Sequence, residues 1–309
     1  MSKHSPTRRK FLMHSGIMVS ALTLMSDRVS ADNNSINGIV DTHIHLWARD
    51  KKRFPYQPDS TYSPDYASTV EQWENDRIGT GISMAIFVQG APYGDDPRFL
   101  FHCLEKAPQS FRGVCLVNPN VPEGSRILEE NIQKNNHIVG VRLQTSWLWG
   151  IEWNSPHLEA FWKKVGELDK VLQIHLEPEF SWNFERMVKK YPETRVVIDH
   201  LGRPRSGDAV NYMQLLTTSR YPNVFMKLSS FSPESKQEPP HDKLKPLIDE
   251  IIRRFTPKRL VWGSNQYRGG MGSDAYKRLL NKALWFLDEL SIDEKRQIFV
   301  DNPRRLYKM

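Results

Sequence analysis

The 309-residue chain has 43 basic and 36 acidic side chains, a formal net charge of +7, and two cysteines. The basic residues are scattered among acidic ones, which argues against nucleic acid as a partner. Cys103 and Cys115 form no C-x-x-C or Cys/His motif, which excludes the usual zinc-knuckle and redox sites. If the protein is exported, the two cysteines could form a disulfide, but Cys115 lies in an apolar run and is more simply a small buried residue.

The first 31 residues predict a twin-arginine export signal. Arg8-Arg9 precede a mildly apolar stretch over residues 12–25, and the small-residue run ends at Ala31, near which we expect cleavage. A membrane anchor or a basic tail is the alternative, but the apolar run is too short to span a bilayer. We therefore expect a periplasmic protein without stable membrane insertion. Residues 32–309 keep a net charge of +3 and form one domain.

Short apolar runs alternate with helical patterns along the rest of the chain. The runs predict eight strands, over residues 38–43, 83–88, 113–117, 139–143, 171–176, 195–198, 224–228 and 259–262. Apolar residues at three- and four-residue spacing predict helices between them, for example over 156–170, 182–191, 243–255 and 274–290. Eight strand-helix units favour a closed α/β structure, a (β/α)₈ TIM barrel, over an open sheet.

The predicted strands end in polar residues, which is where such barrels carry their chemistry. His43 and His45 follow the first strand two residues apart, so that both side chains point into the lumen and can grip one metal ion or one polarised oxygen. Other strand ends contribute further polar side chains, namely Gln89, Asn118, Arg142, His175, Glu177, Asp199, His200, Lys227 and Asn265. This set is typical of a pocket for an anionic, polarisable substrate.

Several motifs make the chain similar to a known family. They are Asp41-Thr42-His43-Ile44-His45, Gly140-Val141-Arg142, Asp199-His200-Leu201-Gly202-Arg203-Pro204, Met226-Lys227-Leu228-Ser229, Val261-Trp262-Gly263-Ser264 and the closing Asp301-Asn302-Pro303 segment. Together they resemble the amidohydrolase-2 group of the amidohydrolase superfamily, and within it the branch of 2-pyrone-4,6-dicarboxylate lactonases and sugar lactonases. The resemblance implies a TIM barrel that hydrolyses lactone C–O bonds with no cofactor, or with one loosely bound divalent ion, zinc or manganese.

The resemblance and the residue chemistry together assign roles to the polar strand ends. The predicted catalytic residues are His43, His45, His175, His200 and Asn265, the predicted substrate-binding residues are Gln89, Arg142, Trp147, Arg203 and Lys227, and any divalent ion would be held by His43, His45 and His175. The arginines suit substrate carboxylates, with a structural ion pair as the alternative. Two alternatives stay open: His200 could be a core histidine bonded to backbone, and Lys227 could support the site as an ion-pair partner. Because Arg142 stands where two-metal relatives carry a lysine, we expect no binuclear centre.

The last strand departs from the family pattern. Gly263-Ser264 is followed by Asn265 where the family has an aspartate that serves as base and metal ligand. A neutral amide cannot take a proton from water at neutral pH, and Asn265 is either natural divergence or an engineered change. If the asparagine is natural, Glu177, Asp199 or a histidine must act as the base, or the protein binds a ligand without hydrolysing it.

Two loops carry weaker signals. The aromatic segment 147–153 could cap the pocket and stack on a planar ring, or simply pack on the rim. The glycine-rich segment 268–273 could bind an anion through backbone N–H groups, or be a flexible turn.

Three functional hypotheses follow from the sequence. The first is a hydrolase that opens a carboxylated or sulfonated small-molecule lactone. The alternatives are a metal-dependent decarboxylase of the same superfamily and a catalytically silent ligand-binding barrel. A homo-oligomer is left open.

Overall fold

The computed structural model describes residues 36–60, 62–145, 148–231, 243–265 and 267–309. The predicted export signal and Trp147 therefore lie outside the described residues. None of the described helices is long and apolar enough to cross a membrane.

Eight parallel strands form one sheet in the order of the sequence, with each strand bonded to the next. The strands are β1 (Ile39–Ile44), β2 (Ile82–Val88), β3 (Phe111–Leu116), β4 (Ile138–Gln144), β5 (Val171–His175), β6 (Arg195–Ile198), β7 (Val224–Leu228) and β8 (Leu260–Trp262). Each lies within two residues of its predicted bounds, so the eightfold pattern and the TIM barrel are confirmed.

Ten α-helices accompany the strands in the described part of the chain. They are α1 (Val70–Asp76), α2 (Arg98–Lys106), α3 (Gly124–Lys134), α4 (Pro156–Glu167), α5 (Ser181–Lys190), α6 (Ala209–Thr217), α7 (Lys245–Phe255), α8 (Ser273–Phe286), α9 (Ile292–Arg296) and α10 (Asn302–Tyr307). The amphipathic sequence explains them, since their apolar faces cover the outer face of the barrel. The expected helices α4, α5, α7 and α8 are present. α8 stops at Phe286, four residues before its predicted end.

Alternate strand residues face the lumen, and their chemistry changes along the strands. A small apolar cluster that includes Val171, Val197 and Phe225 fills one level. Two residues further along the same strands stand Gln173, Asp199 and Lys227, all fully buried. The lumen is thus apolar at the N-terminal ends of the strands and polar at the C-terminal ends. Cys103 and Cys115 are both buried and unpaired, which agrees with the interpretation of Cys115 as a small buried residue.

The barrel closes where β8 meets β1. Thr42 Oγ1 donates to the Trp262 carbonyl at 2.6 Å, Ser264 N–H to Asp41 Oδ1 at 2.8 Å, and Asn265 N–H to the carbonyl of His43 at 2.8 Å. These bonds stand in for a regular ladder and hold the end of β8 against the histidine motif. The bond from Ser264 also compensates for the burial of the Asp41 carboxyl, which has no exposed surface.

Gly263 makes this close approach possible, and replacing it tests the seam. A Cβ at Gly263 would lie 2.7 Å from His43 Cβ and 2.9 Å from its backbone nitrogen. Because backbone atoms cannot swing away, we expect Gly263→Ala to destabilise the fold by about 1–3 kcal/mol, the usual range for overpacking. Urea unfolding measures this loss. An unchanged midpoint would mean that β8 does not press on His43.

Candidate active site

A buried carboxylate stands at the centre of the polar lumen. Asp199 follows β6 and has no exposed surface. Its Oδ1 lies 2.9 Å from Lys227 Nζ on β7, and its Oδ2 accepts a 2.9 Å hydrogen bond from Arg142 Nε on β4. Burial alone would raise the pKa of Asp199, but the charges of Lys227 and Arg142 outweigh burial and hold that pKa well below its usual value. Asp199 is therefore ionised.

The predicted histidine pair lies beside this carboxylate. The Nε2 atoms of His43 and His45 are 3.3 Å apart, while His43 Nδ1 lies 3.2 Å from Lys227 Nζ. His45 Nδ1 lies 2.7 Å from the Val88 carbonyl. Burial, and then the charge of Arg142, lower the pKa of His45 to about 4, and burial with the charge of Lys227 lowers that of His43 well below 6.5. Both imidazoles are neutral at pH 7.

His200 begins a turn of four residues with positive φ. The φ angles are 55° at His200, 59° at Leu201, 70° at Gly202 and 52° at Arg203. Three of these residues are not glycine, and such backbone persists only where the surrounding structure enforces it, often at functional sites. His200 Nδ1 lies 2.8 Å from Ser229 Oγ, and Arg142 donates to its Nε2 at 3.2 Å. His200 thus supports Arg142.

His175 belongs to a second group on the rim of the lumen. Its Nε2 accepts a 2.7 Å hydrogen bond from Arg203, and its Nδ1 lies 3.7 Å from Glu177 Oε1. Arg203 also reaches Glu177 at 3.4 Å, and the Thr145 hydroxyl donates to the same carboxylate. Burial, and then the Arg142 charge, lower the pKa of His175 well below its usual value. Arg203 keeps about a fifth of its side chain exposed, so it can meet an incoming anion.

Asn265 lies at the seam next to His43. Its Nδ2 donates to Ser230 Oγ at 2.5 Å, and its φ is 51°. Asparagine and aspartate both tolerate this left-handed backbone, so either residue fits the position. The backbone at this position therefore accommodates an amide or a carboxylate.

The structure shows what Gln89 and the end of the aromatic loop contact. All polar atoms of Gln89 contact backbone: its Nε2 donates to the carbonyls of Gly94 and Asp96, and its Oε1 accepts from Leu116 N–H. Gln89 thus holds a loop. Trp147 lies outside the described residues, but the same aromatic loop ends at Trp153, which is buried and stacks on Phe180.

The glycine-rich segment 268–273 binds an anion that the protein itself supplies. The backbone N–H groups of Gly270, Met271 and Gly272 donate to the carboxylate of Asp76, and so does the Tyr267 hydroxyl. The expected anion site of this loop is therefore filled by α1.

An aromatic wall beside His45 was missed by the sequence analysis. Trp47 lies 5.6 Å from the His45 ring and stacks on Tyr93 at 6.0 Å, with Tyr56 and Tyr62 edge-on to it. Burial raises the pKa of the Tyr62 hydroxyl, and the charge of Arg142 opposes that change. The signal for Trp47, Tyr56 and Tyr62 was the set of aromatic residues in the long segment between β1 and α1, whereas Tyr93 follows β2.

The donor set can hold one divalent ion. Within the described residues, His43, Asp199 and His200 place ligand atoms within 4.8 Å of one another. Asp199, however, already contacts two cations. The 3.3 Å between the Nε2 atoms of His43 and His45 also equals the ligand spacing of a tetrahedral zinc with Zn–N bonds of about 2.0 Å. The predicted third ligand, His175, instead faces Arg203.

Neutral buried histidines make the stability depend on pH. An unfolded histidine binds a proton below about pH 6.5, whereas folded His45 binds one only near pH 4. Since the unfolded state binds more protons in this window, we expect stability to fall as the pH drops from about 6.5 to 4, by about 1.4 kcal/mol per pH unit for each such histidine.

Urea unfolding at several pH values measures this dependence. His45→Gln should flatten the slope between pH 6.5 and 4, whereas His157→Gln, at the start of α4, serves as the control. Equal slopes in all three proteins would show that His45 is not held neutral.

Comparison with known proteins places the chain in a family. The family model described as amidohydrolase matches residues 40–309. The 4-sulfomuconolactone hydrolase of Hydrogenophaga intermedia is 26% identical over 87% of this chain and 88% of its own length. A crystal structure of a probable 2-pyrone-4,6-dicarboxylic acid hydrolase from Acinetobacter baumannii with bound citric acid superposes with a TM-score of 0.74, at 21% identity over 88% of this chain and all of its own. An amidohydrolase structure from Burkholderia multivorans with bound zinc gives 0.71, at 15% identity over 88% and 99% of the two chains.

Proposed function

Because the chain belongs to the amidohydrolase family, we propose that it is a hydrolase that opens the ring of a small anionic lactone. The observation that carries the proposal is the neutral His43/His45 pair, held at 3.3 Å beside the cations Arg142 and Lys227. Lactone opening needs a donor for the carbonyl oxygen, an acceptor for a proton of water and positive charge for the oxyanion. The relative from Hydrogenophaga intermedia is named for such a reaction, on a sulfonated lactone.

His45 is the residue best suited to accept the proton of the attacking water. Its Nδ1 faces a carbonyl, so that nitrogen carries the proton and Nε2 keeps its lone pair. With a pKa of about 4, His45 stays neutral and able to accept over the whole neutral range. Asp199 is less suited, because two cations already hold its charge.

The charge and shape of the polar end of the lumen favour an anionic, planar substrate. Arg142, Lys227 and Arg203 bring three cations to the polar lumen, where Arg142 and Lys227 pair with Asp199 and Arg203 pairs with Glu177. Arg203 is the cation nearest to solvent and suits a carboxylate or sulfonate. Within the aromatic wall, Trp47 and Tyr93 are buried against each other, whereas the more exposed Tyr62 can pack against a flat ring.

A single zinc or manganese ion fits this proposal as an auxiliary group. His43 and His45 would hold it through Nε2 once both of these nitrogens present a lone pair, and when bound it would polarise the lactone carbonyl and make water a stronger nucleophile.

Asn265 favours a second candidate, a barrel that binds a lactone without turning it over. Asn265→Asp separates the two. Because the new carboxylate would lie beside His43, we expect hydrolysis to accelerate about 10²–10⁴-fold, the usual size of general-base catalysis. A panel of 4-sulfomuconolactone, 2-pyrone-4,6-dicarboxylate and L-fucono-1,5-lactone, followed by the proton released on ring opening, gives the rates.

Asn265→Ala is the matched control, since it removes the amide without adding a base. Slow turnover by the parent with a gain in the aspartate variant supports the hydrolase. Fast turnover by the parent with no gain would place the base entirely at His45 or Glu177. If every form binds a lactone and none hydrolyses it, the result would favour the second candidate, a barrel that binds without turnover.

We further propose that the protein is exported through the twin-arginine route to the periplasm, on the basis of Arg8-Arg9 and the small residues before Asp32. Mass spectrometry of the natively expressed protein should find a mature terminus near Asp32. An intact Met1 or Ser2 terminus in the mature fraction would contradict export.

A further inference from the structure

Lys227 makes two contacts in the lumen that fix its direction of hydrogen bonding. It is fully buried, with Nζ 2.9 Å from Asp199 Oδ1 and 3.2 Å from His43 Nδ1. Burial lowers the pKa of Lys227, while the Asp199 carboxylate opposes that change. Beside an ionised carboxylate the amine is an ammonium group, and an ammonium group has three donors and no acceptor.

His43 must therefore present a lone pair at Nδ1. The other neighbour of that nitrogen is Asp199 Oδ1, at 3.5 Å, which is beyond the usual 2.7–3.2 Å of an N–H···O bond. Lys227 is the nearer partner. A neutral imidazole with a lone pair on Nδ1 carries its proton on Nε2, which points at His45.

His45 completes the arrangement from the other side. The Val88 carbonyl can only accept, so His45 Nδ1 carries the proton and Nε2 is the acceptor. The 3.3 Å contact between the two Nε2 atoms is then a hydrogen bond donated by His43.

We propose that Lys227 is a positioning residue that makes His43 the donor of the His43/His45 pair and thereby opposes capture of a divalent cation by the two imidazoles. The inference deepens the proposed function, on which it rests for the role of the pair in polarising the lactone. A cation needs a lone pair on both Nε2 atoms, and His43 can supply one only by moving its proton to Nδ1, against the Lys227 ammonium group. The same lysine keeps the His43 proton on Nε2. A lactone carbonyl that replaces His45 as the acceptor of this proton would leave the His45 lone pair free for water.

The test uses the full chain without substrate, so that it stands apart from lactone hydrolysis. Nitrogen-15 NMR of histidine-labelled protein reports which ring nitrogen of His43 carries the proton, and the signal is assigned by its loss in His43→Gln. In the parent we expect an unprotonated Nδ1. In Lys227→Met we expect the proton on Nδ1, facing Asp199, and at least tenfold tighter Zn²⁺ binding by calorimetry.

Arg142→Met is the matched control for charge. It also removes a cation from Asp199, but Arg142 has no hydrogen bond to His43. The tautomer of His43 should therefore stay as in the parent, even if the loss of charge tightens Zn²⁺ binding. If Lys227→Met fails to fold, the parent spectrum still tests the proposal, because it reports whether His43 Nδ1 is unprotonated.

Three results would overturn the proposal: a protonated Nδ1 in the parent, an unchanged tautomer in Lys227→Met, or the same gain in Zn²⁺ affinity in both variants with no difference in tautomer. A failure of lactone hydrolysis in the panel with the expected tautomers would instead remove the proposed function and leave the role of Lys227 in place.

Discussion

The ionised Asp199 carboxylate is the interaction on which the polar end of this barrel depends. An isolated charge in such a place would cost several kcal/mol, and the chain compensates it with Lys227 and Arg142 at 2.9 Å each. Through these contacts, β4, β6 and β7 converge on one point, and His43 brings β1 to the same point through Lys227. The ion pairs are thus a structural tie, and their cations add to the effect of burial in keeping the neighbouring histidines neutral.

The chemistry at the C-terminal ends of the strands follows from these ion pairs. Burial, together with the cations held near the imidazoles, disfavours protonated histidine, so His43, His175 and His200 remain neutral donors and acceptors. Backbone with positive φ at Arg203, Ser230 and Asn265 lies at the ends of strands around the same lumen. The sheet supplies a rigid floor, and the strained turns above it set the directions of the side chains that meet a ligand.

The sequence predicted the barrel well because the pattern of strands and helices is local and repeats eight times. It also placed His43, His45, Arg142, His175, His200, Arg203, Lys227 and Asn265 at strand ends, and the structure brings them to one lumen. The partners could not be predicted in the same way. Whether Arg142 meets a substrate or Asp199, and whether the glycine loop meets a ligand or Asp76, depends on contacts between residues distant in the chain. Gln89 illustrates the same limit, since its Oε1 accepts from the N–H of Leu116 on the next strand.

Urea unfolding of Asp199→Asn, measured alone and together with Lys227→Met, tests most directly whether this carboxylate holds the site together. The single change leaves two buried cations without their anion, so the account predicts a loss of about 3–5 kcal/mol, the range for breaking a buried ion pair. Because Lys227→Met removes one of those cations, the double variant should lose markedly less than the sum of the two single changes. A single variant as stable as the parent, or strictly additive losses, would contradict the central place given to Asp199.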